Sequence, residues 1–81
     1  MPKKRMTKQR FIETLVDGWA SKIVARSKVV EFSGGAICGR TVANAESQGD
    51  RVPGRMRIGR QIVYPAGELA TWIAEKYFKE G

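Results

Sequence analysis

Arg40, Thr41, Asn44 and Gln48 fall one, three and four residues apart, a spacing that lines them up along one side of an α-helix. Their side chains suit the reading of DNA. Arginine pairs with guanine O6 and N7, and asparagine or glutamine pairs with adenine N6 and N7, both at base edges in the major groove. Val42 and Ala45 fall on the opposite side, with Ile37 just ahead of them. The same helix therefore has an apolar side to bury. The expected span is from Cys38 or Gly39 to Gln48, with Gly49 ending it.

A second constellation follows at Arg55, Arg57 and Arg60. Met56 and Ile58 alternate with Arg55 and Arg57, which is the period of a strand. Gly59-Arg60 suits a two-residue type II′ turn, with glycine first. Ile62 and Tyr64 resume on the return strand. The expected ribbon has an apolar face, Met56 and Ile58 with Ile62 and Tyr64. Arg55 and Arg57 take the other face and Arg60 the tip, unbalanced by any nearby acid. Such a ribbon suits the phosphate backbone or a narrow minor groove, whose negative potential favours arginine. An ordinary solvated hairpin is the plainer alternative. Arg26 and Lys28, at the start of the preceding short helix, are expected to hold phosphate.

Other chemistries find few residues to use. The chain has no His and one cysteine, Cys38. An internal disulfide, a Cys-cluster zinc site and a His-based triad are thereby excluded. Glu13 and Asp17, four apart, read as a solvated helix face near Lys8 and Arg10. Gly34-Gly35 and Gly39 lack the Lys-Ser/Thr and the buried leading strand of a phosphate loop. The expectation is a protein that is not an enzyme and takes no cofactor or metal. A lone thiol fits a reducing, cytoplasmic setting. No apolar run approaches the ~20 residues that span a bilayer, and no apolar segment follows the positive start Met1-Pro-Lys-Lys-Arg. Fifteen Lys and Arg against eight Asp and Glu give a formal charge of +7. Residues 1–60 carry 13 basic and 5 acidic side chains, and residues 61–81 carry 2 and 3. A basic body with a near-neutral end suggests one face meant for a polyanion.

The positioning elements divide into three segments. Residues 1–7 read as a disordered basic tail in which Lys3, Lys4 and Arg5 offer phosphate contacts. Residues 8–26 read as an N-terminal amphipathic helix and lead-in. Thr7 caps the helix, Phe11, Ile12, Leu15, Val16 and Trp19 form its apolar stripe, and Gly18 stops it. The stripe serves either the core or a partner surface. Ile23-Val24-Ala25 is a strand or an extended lead-in. Residues 27–81 read as the DNA-binding domain. Ser27 is expected to cap a short helix carrying Val29, Val30 and Phe32, and Ser33-Gly34-Gly35 to turn the chain toward the second helix. Pro53-Gly54 marks a loop. Pro65 opens a closing helix in which Leu69, Trp72, Ile73, Lys76 and Tyr77 follow at three- and four-residue steps. The fold class expected from this order is α+β. The architecture is a small winged helix-turn-helix with a two-stranded hairpin wing and an extra N-terminal helix.

From Ser27 to Ile73 the chain resembles the excisionase-like, MerR-type winged-helix proteins of phages and integrating elements. The matching residues are Val29-Val30, Arg40-Thr41-Val42, Gly49, Val52-Pro53, Arg57-Ile58-Gly59-Arg60, Leu69 and Trp72-Ile73. Each short motif is weak, and their order and spacing together are more specific. The resemblance implies a protein that binds double-stranded DNA beside integrase sites and bends it. It also implies adjacent copies on neighbouring sites and an integrase or recombinase partner steered toward excision. The chain departs from the family shape in three places. Glu46 stands where an apolar residue is usual, the loop between Gly49 and Pro53 is one residue longer, and the N-terminal helix is additional.

Alternatives share the fold or replace the function. A transcriptional regulator of a phage or mobile element, or the DNA-binding part of a packaging small subunit, would use the same residues. A basic protein-interaction module would dock on an acidic partner through its basic face, using the Phe11–Trp19 stripe. Single-stranded RNA readers usually display aromatic residues on an open face, whereas the aromatics here fall at positions that read as buried.

Overall fold

The computed structural model describes residues 7–78. Four helices and a three-stranded antiparallel sheet make up a small α+β fold. The tail contacts expected of Lys3, Lys4 and Arg5 lie outside the described residues.

Helix α1 runs Lys8–Asp17. The Thr7 hydroxyl caps it by accepting from the Arg10 amide at 3.1 Å. The stripe expected for this helix packs inward: Leu15 is buried, and Phe11, Ile12, Val16 and Trp19 lie partly buried against the core. Phe11 stacks on Phe78 with ring centroids 4.8 Å apart. The Trp19 indole donates to the Ile23 carbonyl at 2.9 Å and meets Phe32 edge-on. That indole closes the connection from α1 into the first strand.

Strand β1 is Ile23–Ala25, β2 is Met56–Ile58 and β3 is Gln61–Pro65, in the order β1-β3-β2. The expected two-stranded ribbon is therefore a three-stranded sheet, because the lead-in pairs with the return strand at Ile23↔Pro65, Val24↔Tyr64 and Ala25↔Val63. The hairpin turn forms as expected at Gly59-Arg60, with Gly59 at φ +61° and no positive φ at Arg60. Its register corrects the expected faces. Met56 lies opposite Val63, Arg57 opposite Ile62 and Ile58 opposite Gln61. Paired residues share a face, so Ile62 and Tyr64 lie with Arg57, and Met56 and Ile58 belong to the other side. A two-residue turn forces this pairing. Met56 and Ile58 consequently stand 40% and 55% exposed rather than sealed beneath the closing helix.

A 3-10 turn over Arg26–Lys28 leads into the short helix α2, Val29–Phe32. Ser27 does not cap this helix. It sits inside the 3-10 turn, and Lys28 precedes α2 without a side-chain cap. Gly34 and Gly35, at φ +69° and +90°, reverse the chain. The Ser33 hydroxyl staples the turn, accepting from the Ile37 amide at 3.1 Å and donating to the Ile37 carbonyl at 3.0 Å. Helix α3 is Gly39–Ser47 and α4 is Ala66–Tyr77.

The core joins Leu15 of α1, Val24 and Tyr64 of the sheet, Val29 and Phe32 of α2, and Val42 of α3 to Leu69 and Ile73 of α4. Burying one Leu-sized side chain contributes about 1.5–3 kcal/mol. Helix α1 packs against α4 and β1 pairs with β3, so the N-terminal segment shares one core with the rest. Of the closing-helix aromatics, Trp72 is buried and Tyr77 is exposed.

Candidate nucleic-acid interface

Helix α3 presents the expected face. Val42 is fully buried and Ala45 nearly so, while Arg40, Asn44 and Gln48 are exposed and Thr41 is half-buried. Its start is set by a close approach. A Cβ on Gly39 would lie 2.3 Å from the Arg26 carbonyl oxygen, so only glycine lets α3 begin against the 3-10 turn.

A cleft of about 470 Å³ opens between the start of α3 and the hairpin. Arg40 and Ala43 come from α3, Arg60, Gln61 and Ile62 from the hairpin, and Arg26, Ser27 and Val30 from the turn region. Arg40 and Arg60, far apart in sequence, thus line one feature. Neither has an acidic partner among the described residues, and unpaired cations around an open cleft attract anions. Arg57 is also exposed and unpaired within the described residues, on the sheet face of Ile62. Asn44, Gln48 and Arg57 lie outside the cleft lining.

Two of the expected phosphate ligands are otherwise engaged. The Arg26 guanidinium donates to the Glu46 carboxylate through Nη2 and to the Tyr64 hydroxyl through Nε at 3.0 Å. Arg55 Nε lies 3.3 Å from the same Glu46 oxygen. The expectation that no acid balances the hairpin arginines is corrected for Arg55, because the fold brings Glu46 beneath it from α3. Burial works against the Arg26 charge. The Tyr64 hydroxyl and the Glu46 carboxylate outweigh it, leaving the guanidinium pKa above its ordinary value. Lys28 is exposed and shares its charge with Glu31 at 3.6 Å, a solvated pair of small energetic weight.

Sequence reasoning passed over the Arg26 bridge between Glu46 and Tyr64 and the place of Cys38. The departure of Glu46 from the apolar pattern of α3 was the available signal. Cys38 sits exposed at the N-cap of α3 and lines the cleft. The Thr41 amide, then the Thr41 hydroxyl and the Arg40 amide, hold its thiol below the ordinary pKa. No group of three or more His, Cys, Asp or Glu suited to a metal occurs among the described residues. No helix among them is long and apolar enough to cross a membrane.

Comparison with protein-family models, curated proteins and solved structures finds no match for this chain.

Proposed function

We propose that this chain is a sequence-specific binder of double-stranded DNA, built as a winged helix-turn-helix with α2 and α3 as the helical pair and β2–β3 as the wing. The observation that carries the reading is the convergence of Arg40 and Arg60 on one cleft, each free of an acidic partner among the described residues. In this arrangement α3 lies in the major groove and offers Arg40, Thr41, Asn44 and Gln48 to base edges. The wing sets Arg57 and Arg60 against the backbone or the minor groove. Arg26 and Arg55 are engaged by Glu46 and leave the phosphate set, while Lys28 remains on its margin.

The excisionase role rests on the motif resemblance from Val29-Val30 to Trp72-Ile73. It entails DNA bending, adjacent copies and a recombinase partner that breaks the bonds. A gel shift tests both levels, using purified protein on about 200 base pairs from its genomic neighbourhood with unrelated DNA as competitor. Discrete stepwise bands that survive competitor support specific adjacent sites. Smearing abolished by competitor reduces the interaction to net charge and turns attention to an acidic protein partner.

A further inference from the structure

Glu46 is the only buried charged side chain among the described residues, at 8% exposure. It stands on α3 beside Val42 and Ala45, where an apolar residue would bury without electrostatic cost. Removing a carboxylate from water costs several kcal/mol, offset only by good pairing, and such pairs are weak grounds for stability. Their best-attested use is fixing the register of packed elements. One Glu46 oxygen meets Arg26, on the turn leaving β1, and Arg55, on the chain entering β2. Arg26 reaches on to the Tyr64 hydroxyl of β3. One carboxylate on α3 therefore links the segment leaving β1 to the segment entering β2 and, through Arg26, reaches β3. Apolar packing at this point would have no such directionality.

We infer that Glu46 is a positioning residue: it sets the angle between α3 and the β2–β3 hairpin, and with it the separation of Arg40 and Arg60 across the cleft. The arginine pair that spans Glu46 acts as a strut between the two halves of the interface. The mechanical claim rests on the structure alone, and its consequence for DNA rests on the reading proposed above. Loosening the strut leaves each DNA-facing side chain in place and removes their fixed spacing. The wing and the helix then no longer engage one site together without an ordering cost.

The test measures geometry and binding separately. Spin labels at Ser47→Cys on α3 and Ile58→Cys on β2, both exposed positions, are introduced into full-length protein carrying Cys38→Ser. Electron-electron resonance should give one narrow distance distribution. Glu46→Gln and Glu46→Leu should each broaden or shift that distribution while far-UV circular dichroism keeps its shape. Glu46→Leu is the decisive variant, because it fills the volume and needs no partner. A distribution as narrow as the parent's and centred at the same distance in folded Glu46→Leu overturns the strut, as does a broad distribution in the parent itself. If the Glu46 variants unfold, Arg55→Gln removes one arm from a more exposed position, and its distribution is read by the same criterion. On DNA shifted by the parent protein, Glu46→Leu should lose about tenfold in affinity, a coupling typical of residues that touch no ligand. Parent protein that shifts no DNA sinks the proposed function and leaves the distance result standing.

Discussion

Arg26 donates through Nε to the Tyr64 hydroxyl at 3.0 Å, joining the turn after β1 to a side chain on β3 that is fully buried. Tyr64 thus fills the core with its ring and orients a cation with its oxygen. Tyr64→Phe keeps the ring and deletes the acceptor. Hydrogen bonds to charged groups contribute about 1.5–3 kcal/mol. The Arg26 side chain remains 30% exposed, so water replaces part of the loss, and a cost of about 1 kcal/mol is expected. Urea unfolding of the two proteins checks it. Equal midpoints would show that the hydroxyl does not hold Arg26.

Gly39→Ala tests the close approach that starts α3. The added Cβ would sit 2.3 Å from the Arg26 carbonyl oxygen, a backbone atom without a flexible way out. A destabilisation of about 3 kcal/mol is expected, at the upper end of overpacking costs. The neighbouring change Arg40→Ala, at an exposed position, should stay within about 0.5 kcal/mol. Thermal melts of both separate the two effects, and a Gly39→Ala protein as stable as the parent would contradict the packing of α3 on the turn.

Asp50 links the loop after α3 to α4. Its carboxylate accepts from Lys76 Nζ and from the Trp72 indole at 3.1 Å, and these two bonds, Lys76 first, hold its pKa below the ordinary carboxylate value. A pKa depressed by folding adds stability that is complete above the unfolded value of about 3.9. That stability is lost as pH falls through the folded value. Lys76 has the opposite sign. Its pKa is raised, with the hydrogen bond to Asp50 as the largest cause, so its contribution is lost as pH rises through the folded value. The melting-temperature gap between parent and Asp50→Asn should be constant near neutral pH and narrow only once pH falls below the unfolded value of about 3.9, closing as the folded carboxylate is protonated. A gap that persists unchanged in acid would rule out the carboxylate as its source.

Base reading and phosphate contact give different signatures at the proposed interface. Asn44→Ala should cost about 1–3 kcal/mol on the specific site and relax discrimination at one base pair. Arg60→Ala should weaken every DNA alike and lower the salt slope by about one unit. Fluorescence anisotropy on specific and scrambled duplexes, across a salt series, distinguishes them. Equal losses of Asn44→Ala on both duplexes would remove Asn44 from base readout.

Cys38 provides a footprint of the cleft. It is exposed, it lines the space between Arg40 and Arg60, and its thiol is held below the ordinary pKa. Thiolate rather than thiol is the nucleophile, so maleimide should react readily near neutral pH in the free protein. Bound duplex should slow that reaction. Labelling at the same rate with saturating DNA would place the DNA elsewhere.

Much of the local structure follows from neighbouring residues. Thr7 begins α1, Gly34 and Gly35 turn the chain, and Gly59-Arg60 makes the hairpin, because each depends on φ preferences or a bond spanning three or four residues. The outward face of α3 was equally legible, since a 3.6-residue period sorts Val42 and Ala45 from Arg40, Asn44 and Gln48 without knowledge of any other element. The hairpin faces were legible in principle, because a two-residue turn already fixes Met56 opposite Val63. What local pattern does not carry is pairing between distant segments. Only the tertiary structure adds β1 to the hairpin, sets Glu46 between Arg26 and Arg55, and brings Arg40 to the same cleft as Arg60. Those relationships join residues 9 or more positions apart and depend on how the helices and sheet pack around Tyr64, Val42 and Leu69. Residue type and spacing mark the side chains that could meet a polyanion; packing around the core selects which of those arginines remain available to it.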